Sequence, residues 1–196
     1  KKFLGQDVTV TLTVIMSLLG TNMALVLNRK TGGAAVPLDV QEVACEMPRA
    51  CNMSKYSDWY RVGSTCVKYF KTPLNFSMAE MECRSAAPSG HLVSVHNCMD
   101  NSDLLCLVKK HNPQNLRFWL GGFELFQSGQ YMWTDGSKWD FEEWTPGEPI
   151  SRWKNREDCV EMNWSHVGKW NDDACSRKKG YMCAFKHSHS SLDGAV

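Results

Sequence analysis

Cys83, Cys159, Cys175 and Cys183 constrain this chain more than any other feature, because the run 169–175 sets Trp170, Asn171 and Asp172 inside a loop that two cysteines can close. A polar triplet in a covalently closed loop suits a surface site for an ion or a sugar. Nine cysteines in 196 residues, Asn-x-Ser sequons at Asn52, Asn75 and Asn163, and an apolar N-terminal segment point to a secreted, disulfide-bonded glycoprotein. No close Cys/His spacing suggests zinc.

The length fits one domain with N-terminal extras, and 43% hydrophobic with 11% aromatic residues can fill its core unaided. The net charge of +1, without long runs of one sign, gives no reason to expect nucleic acid or an anionic membrane as partner. Lys1 and Lys2 precede an apolar run at 8–19 that resumes at 24–27, so residues 1–27 read as a secretory signal peptide whose first residues can be missing. A membrane anchor over 8–27 is the competing reading; Thr9, Thr11, Thr13, Ser17, Gly20 and Asn22, with Arg29 and Lys30 beyond, favour the signal. Residues 28–50 read as a spacer or propeptide, 51–186 as the globular domain and 187–196 as a polar tail.

Within the domain, residues 66–70 alternate like a strand, which Pro73 is expected to halt, and Cys51 and Cys66 flank a small hairpin. Ser77 and Glu80 have capping-box spacing, predicting a helix over 77–86. A second helix is predicted from Asn97 as cap, with Asp100 in its first turn, to Lys109 and Lys110 before Asn112 and Pro113. Its expected buried stripe is Asn101, Leu104, Leu105 and Val108; at about 100° per residue Cys106 falls opposite, toward water, and Cys98 at the edge. Short strands and long loops follow, with Asp135 and Gly136 at a turn, so the expected class is α+β with antiparallel sheets.

From residue 51 to about 185 the chain resembles the C-type lectin-like domain in its long form, which carries an N-terminal hairpin disulfide. The match rests on Trp59 before Cys66, the helix bearing Cys83, residues 119–122, 133–136, 147–149 and 157–160, then Trp170, Asn171, Asp172 and Cys183. In size and spacer it is most similar to small secreted lectins of fish mucus and serum, with their type II antifreeze relatives. The resemblance implies two helices, antiparallel sheets and a long disulfide-clamped loop region. It also implies the disulfides Cys51–Cys66, Cys83–Cys183 and Cys159–Cys175, each worth about 2–4 kcal/mol. The first spacing is long for the family, so Cys45 competes with Cys51.

Cys45, Cys98 and Cys106 remain. Cys98 and Cys106, on one helix, would stand about 12 Å apart along its axis, too far to bond. Cys106, expected to face water, is the candidate for a bond to another chain and hence a disulfide-linked homo-oligomer. A small-thiol cap and a bond to Cys45 are the alternatives; Cys45 and Cys98 are the other candidate interchain cysteines.

In sugar-binding members of the family one calcium, which takes six to eight oxygens, is shared between a Glu-Pro-Asn or Gln-Pro-Asp loop, a downstream Glu and the Trp-Asn-Asp strand. The resemblance maps Glu148, Glu157, Asn171 and Asp172 onto those positions as calcium and ligand-binding residues. Ile150 stands where the family has Asn or Asp, leaving calcium one ligand short and removing the residue that sorts mannose from galactose types; Ser151 is the candidate substitute. Trp153 can stack on a sugar ring or pack on its own loop. Trp119, Trp133, Trp144 and Trp170 are assigned to the core. His91, His96 and His166 read as isolated, and no nucleophile motif suggests an enzyme. The expected function is a secreted lectin binding microbial or host glycans or glycoproteins in innate defence. The alternative is a calcium-independent interaction protein or an ice-binding relative.

Overall fold

The computed structural model describes residues 45–149 and 157–186. The expected signal peptide, the spacer as far as residue 44 and the polar tail lie outside the described residues. The spacer expectation ended at residue 50, but residues 45–50 are already joined to the fold. Cys45 bonds Cys106, Ala50 bridges Tyr60, and Arg61 N donates to Arg49 O at 2.7 Å.

A short 3-10 turn at Ser54–Tyr56 leads into β1 (Tyr60–Val62) and β2 (Thr65–Leu74), an antiparallel hairpin. Gly63, at φ 54°, turns the corner in the left-handed region that glycine adopts without a Cβ clash. Cys51–Cys66 staples the chain entering this hairpin to β2, as the resemblance implied. Pro73 does not halt β2. The ladder slips register between Phe70 and Leu74 and resumes at Leu74, so a residue without an N–H is accommodated by a bulge at an exposed stretch.

Helix α1 (Phe76–Ala86) is capped by Asn75, whose side chain accepts from Met78 N at 2.9 Å, rather than by the expected Ser77. Glu80 faces inward instead of completing a capping box. Its carboxylate accepts from Leu92 N at 2.9 Å and Arg84 Nε at 2.8 Å, and meets His91 Nδ1 at 2.7 Å, tying α1 to β3 (His91–Leu92). His91 is therefore not isolated.

Helix α2 (Cys98–His111) begins as expected, with Asn97 accepting from Met99 N and Asp100 N. Its face differs from the expected stripe: Asn101, Leu104, Leu107 and Val108 are buried and Leu105 sits at the margin. Cys106 does not face water. It is 8% exposed because its partner Cys45 brings the N-terminal segment over that side of the helix. Helical periodicity could not show this, since the covering chain lies 61 residues away in sequence.

The remaining strands are β4 (Phe118–Glu124), β5 (Tyr131–Trp133), β6 (Cys159–Met162), β7 (Trp170–Asp173) and β8 (Lys179–Lys186). The described strands form one sheet in the order β1-β2-β8-β4-β6-β7, with β3 on β8 and β5 on β4. Every pairing is antiparallel except β4 with β8, so the class is α+β but the sheet is mixed rather than purely antiparallel. Period-2 alternation divides two apolar clusters. Phe118, Leu120, Met182 and Ala184 join Leu104, Leu107, Trp133 and Trp170 in one; Trp119, Tyr181, Cys183 and Phe185 join Phe76, Cys83 and Trp59 in the other. Cys83–Cys183 ties α1 to β8 through the second cluster.

Candidate functional site

Strand β7 carries the Trp170, Asn171, Asp172 triplet, and two neighbours hold it. On one side it pairs with β6 in the register Val160↔Asp172 and Glu161↔Asn171. Cys159–Cys175 closes the end of that pair, as the resemblance implied. On the other side the long loop docks along it: Trp170 N donates to Glu143 O at 2.7 Å and Thr145 N to Trp170 O at 2.8 Å. Glu148 N then donates to Thr145 O at 2.9 Å, Gly147 turns the chain at φ 94°, and the Glu148–Pro149 peptide is cis. The loop base therefore runs beside the triplet up to Glu148.

Aromatic rings fill the space beneath. Trp139 lies 4.4 Å from Trp133, 5.3 Å from Tyr131 and 5.8 Å from Trp170 between ring centroids. Trp119, Trp133 and Trp170 are buried as expected, whereas Trp144 is half-buried. Asn101 of α2 accepts from Trp170 Nε1 at 2.8 Å and donates to Gly168 O at 2.8 Å, so helix and site strand are fixed together.

Asn171 donates from Nδ2 to Glu161 Oε1 at 3.1 Å and to its neighbour's backbone carbonyl, Asp172 O, at 2.6 Å. A carboxylate only accepts, so Glu161 fixes which way the amide faces. Asp172 accepts from the Tyr131 hydroxyl at 3.2 Å through Oδ2. Burial pushes that hydroxyl's pKa well up, and the Asp172, Glu124 and Asp158 carboxylates push it further. Glu157 feels the same crowding. Burial raises its carboxyl above the usual range, Asp172, Asp173 and Glu161 add to the rise, and Arg177 offsets part of it.

Behind Asn171 lies an ionic cluster built around Glu161, which is wholly buried in β6. Arg117 grips it through Nε at 2.8 Å and also reaches Asp173 Oδ2 at 3.0 Å. Lys179 bonds Asp173 and lies 3.3 Å from Glu161, and Arg177 lies 3.0 Å from Asp173. A glutamate amid apolar residues was the available signal; nothing in the sequence pointed to Arg117 or Lys179 as its partners. These bases face Glu161 and Asp173, while Glu157 is crowded chiefly by Asp172 among the neighbouring carboxylates.

The structure thus brings Glu157, Asn171 and Asp172 to one region, with Glu148 on the loop that flanks it. Ile150, Ser151 and Trp153 lie outside the described residues. The donors are hard oxygens of the kind calcium takes, and mutual repulsion between Glu157 and Asp172 is what a divalent cation would relieve. Among the described residues, however, no three Asp, Glu, His or Cys side chains stand together as a formed metal cluster.

The sequons differ in setting. Asn52 is exposed, Asn75 is half-buried as the α1 cap, and Asn163 is 8% exposed, with Nδ2 donating to Leu116 O at 2.9 Å. His96, expected to be isolated, has Nδ1 2.7 Å from Asp140 and Nε2 3.1 Å from Ser94 Oγ. The order resembles a hydrolytic triad, but Ser94 donates its proton to Asp135 at 2.7 Å and not to the imidazole.

The profile of the lectin C-type domain matches residues 72–185. The chain belongs to this family. A lectin of Pleurodeles waltl is 30% identical over 139 residues, covering 71% of this chain and 80% of its own length. The galactose-specific lectin nattectin of the fish Thalassophryne nattereri is 28% identical over 142 residues, covering 72% and 87%. The crystal structure of C-type lectin CEL-I from Cucumaria echinata superposes with a TM-score of 0.61 at 30% identity, covering 65% of this chain and 94% of that one. These relatives are lectins, so the family is one of binding proteins and not of enzymes.

Proposed function

We propose that this C-type lectin domain is an extracellular glycan-binding protein whose sugar site is built from Glu148, Glu157, Asn171 and Asp172 around a weakly held calcium. The crowding of Glu157 against Asp172, with Asn171 held in one orientation by Glu161, carries this reading. Calcium would supply the coordination that two sugar hydroxyls complete, while Glu157 and Asp172 furnish charge and Asn171 an oriented amide. The lectin relatives support a carbohydrate ligand, and four disulfides suit an extracellular setting. Trp153 remains the candidate stacking platform, and Asn52, the exposed sequon, the favoured glycan acceptor.

Such sites are shallow, so attachment to microbial or host surfaces in innate defence would rely on linking copies, which raises avidity by about 10² to 10⁴. With Cys106 engaged by Cys45, the interchain role passes to Cys98, which is exposed and unpaired.

The test is calorimetric titration of calcium into chelator-treated protein, with Glu157→Gln alongside, followed by a glycan array with and without calcium. Saturable heat lost in the variant and calcium-dependent glycan signals are expected. Silence on the array under both conditions overturns the lectin reading. Glycan binding without calcium favours the second reading, a calcium-independent site, to which Ile150 and the internal bond from Asn171 to Asp172 O lend support.

A further inference from the structure

The loop between β4 and β5 carries a second feature. Phe126 is 91% exposed, and it and Gln127 adopt φ of 51° and 58°. Two consecutive residues with side chains in the left-handed region are disfavoured, most of all for a bulky ring. The turn is nevertheless held: Leu125 N donates to Gln130 O at 2.8 Å, Ser128 N to Leu125 O at 3.1 Å, and Gly129 N to Glu124 Oε1 at 2.6 Å. An aromatic ring is thus kept in water by a backbone that a glycine would adopt more readily, and a fold that stores such strain commonly does so at a contact site.

Beside Phe126 opens a recess of about 420 Å³ lined by Phe123, Glu124, Leu125, Phe126, Gln127 and Asp158. Two of these are carboxylates and none is basic. Aromatic walls and two carboxylates, with no base among the described lining residues, match a cation carried on an apolar stem, which gains from the ring face and from the carboxylates at once. A neutral sugar could donate hydroxyls to the carboxylates but would leave their charge without a counter-charge. A bare calcium ion would find too few oxygens, since Glu124 already accepts Gly129 N–H.

We propose that this recess docks an arginine or lysine side chain of a protein partner, with Phe126 against the alkyl stem and Asp158, aided by Glu124, against the cationic head. The contact uses neither calcium nor Asn171 and gives the domain a second, protein-directed face beside the glycan site, since Asp158 directly follows Glu157.

The test is an NMR titration of the full chain in chelator, using N-acetyl-arginine amide, its neutral isostere N-acetyl-citrulline amide, and methyl galactoside. The arginine derivative should shift the amides of Phe126, Gln127 and Asp158 saturably, at least tenfold more tightly than citrulline. Phe126→Ala and Asp158→Asn should each weaken it at least fivefold while the rest of the spectrum superposes. Equal response to citrulline, no response, indifference to both variants, or a preference for methyl galactoside at the same amides overturns the proposal. Chelator removes any dependence on the calcium site, so failure here is distinct from failure of the lectin reading.

Discussion

Asn171 Nδ2 stands 3.1 Å from Glu161 Oε1, so the amide of the site strand is oriented by a carboxylate that is itself wholly buried. Arg117 and Lys179 compensate that carboxylate, and the cluster they form with Asp173 joins β6, β7 and β8 beneath the candidate site. Removing one member of a buried ionic group is costly because the others are left without a counter-charge. Glu161→Gln should therefore destabilise the fold by about 3 kcal/mol, read as a lower urea midpoint. An unchanged midpoint would mean that Arg117 and Lys179 relax to solvent at little cost.

The Cys45–Cys106 bond closes a separation of 61 residues and covers α2. Replacing both by serine should cost about 2–4 kcal/mol, visible as a lower melting temperature, while leaving the proposed Cys98-linked dimer band on a non-reducing gel unchanged. Cys98→Ser should have the opposite profile, with stability retained and the proposed disulfide-linked dimer band lost; absence of that band from the parent protein would refute the linkage.

Gly122 lies where a Cβ would meet Trp139 and Val160 at 2.9 Å. Neither neighbour is the tip of a flexible chain, and Trp139 is packed among Tyr131, Trp133 and Trp170. Gly122→Ala should cost about 1–3 kcal/mol by overpacking and should perturb the indole signals of near-ultraviolet circular dichroism. A spectrum identical to the parent would show that the aromatic cluster has room to move.

Burial alone would raise the Glu80 carboxyl, but the hydrogen bonds from Leu92 N–H, Arg84 and His91 outweigh it and hold the group below the ordinary range. A carboxyl depressed in the folded state contributes stability that is present above its unfolded pKa, near about 4.3, and lost as pH falls through the folded value. Glu80→Gln should flatten the acid limb of the stability curve and lower stability at neutral pH. Parallel curves for the two proteins would show that other carboxylates govern acid unfolding.

The cysteines, the Trp-Asn-Asp triplet and the Gly-Glu-Pro turn carried the family resemblance, and it was the resemblance that implied the fold class and three of the four disulfides, Cys83–Cys183 across 100 residues among them. The sequence also located the cap of α2, since Asn97 acts on amides two and three residues on. Its errors share a cause. Ser77 and Glu80 fit a local capping rule, yet Glu80 instead takes up Leu92 N–H, a partner twelve residues away. Cys106 was assigned to water from helical angle alone, and Pro73 to a strand end from its missing N–H.

What the sequence by itself determined is what short-range chemistry fixes: where α2 begins and which residue types the candidate site offers. Only the tertiary structure decided which groups neutralise one another. Charge pairing depends on distance in space and on exclusion of water, so the engagement of Glu161 by Arg117 and Lys179, the crowding of Glu157 by Asp172 and the burial of Cys106 exist only once β6, β7, β8 and the N-terminal segment have met.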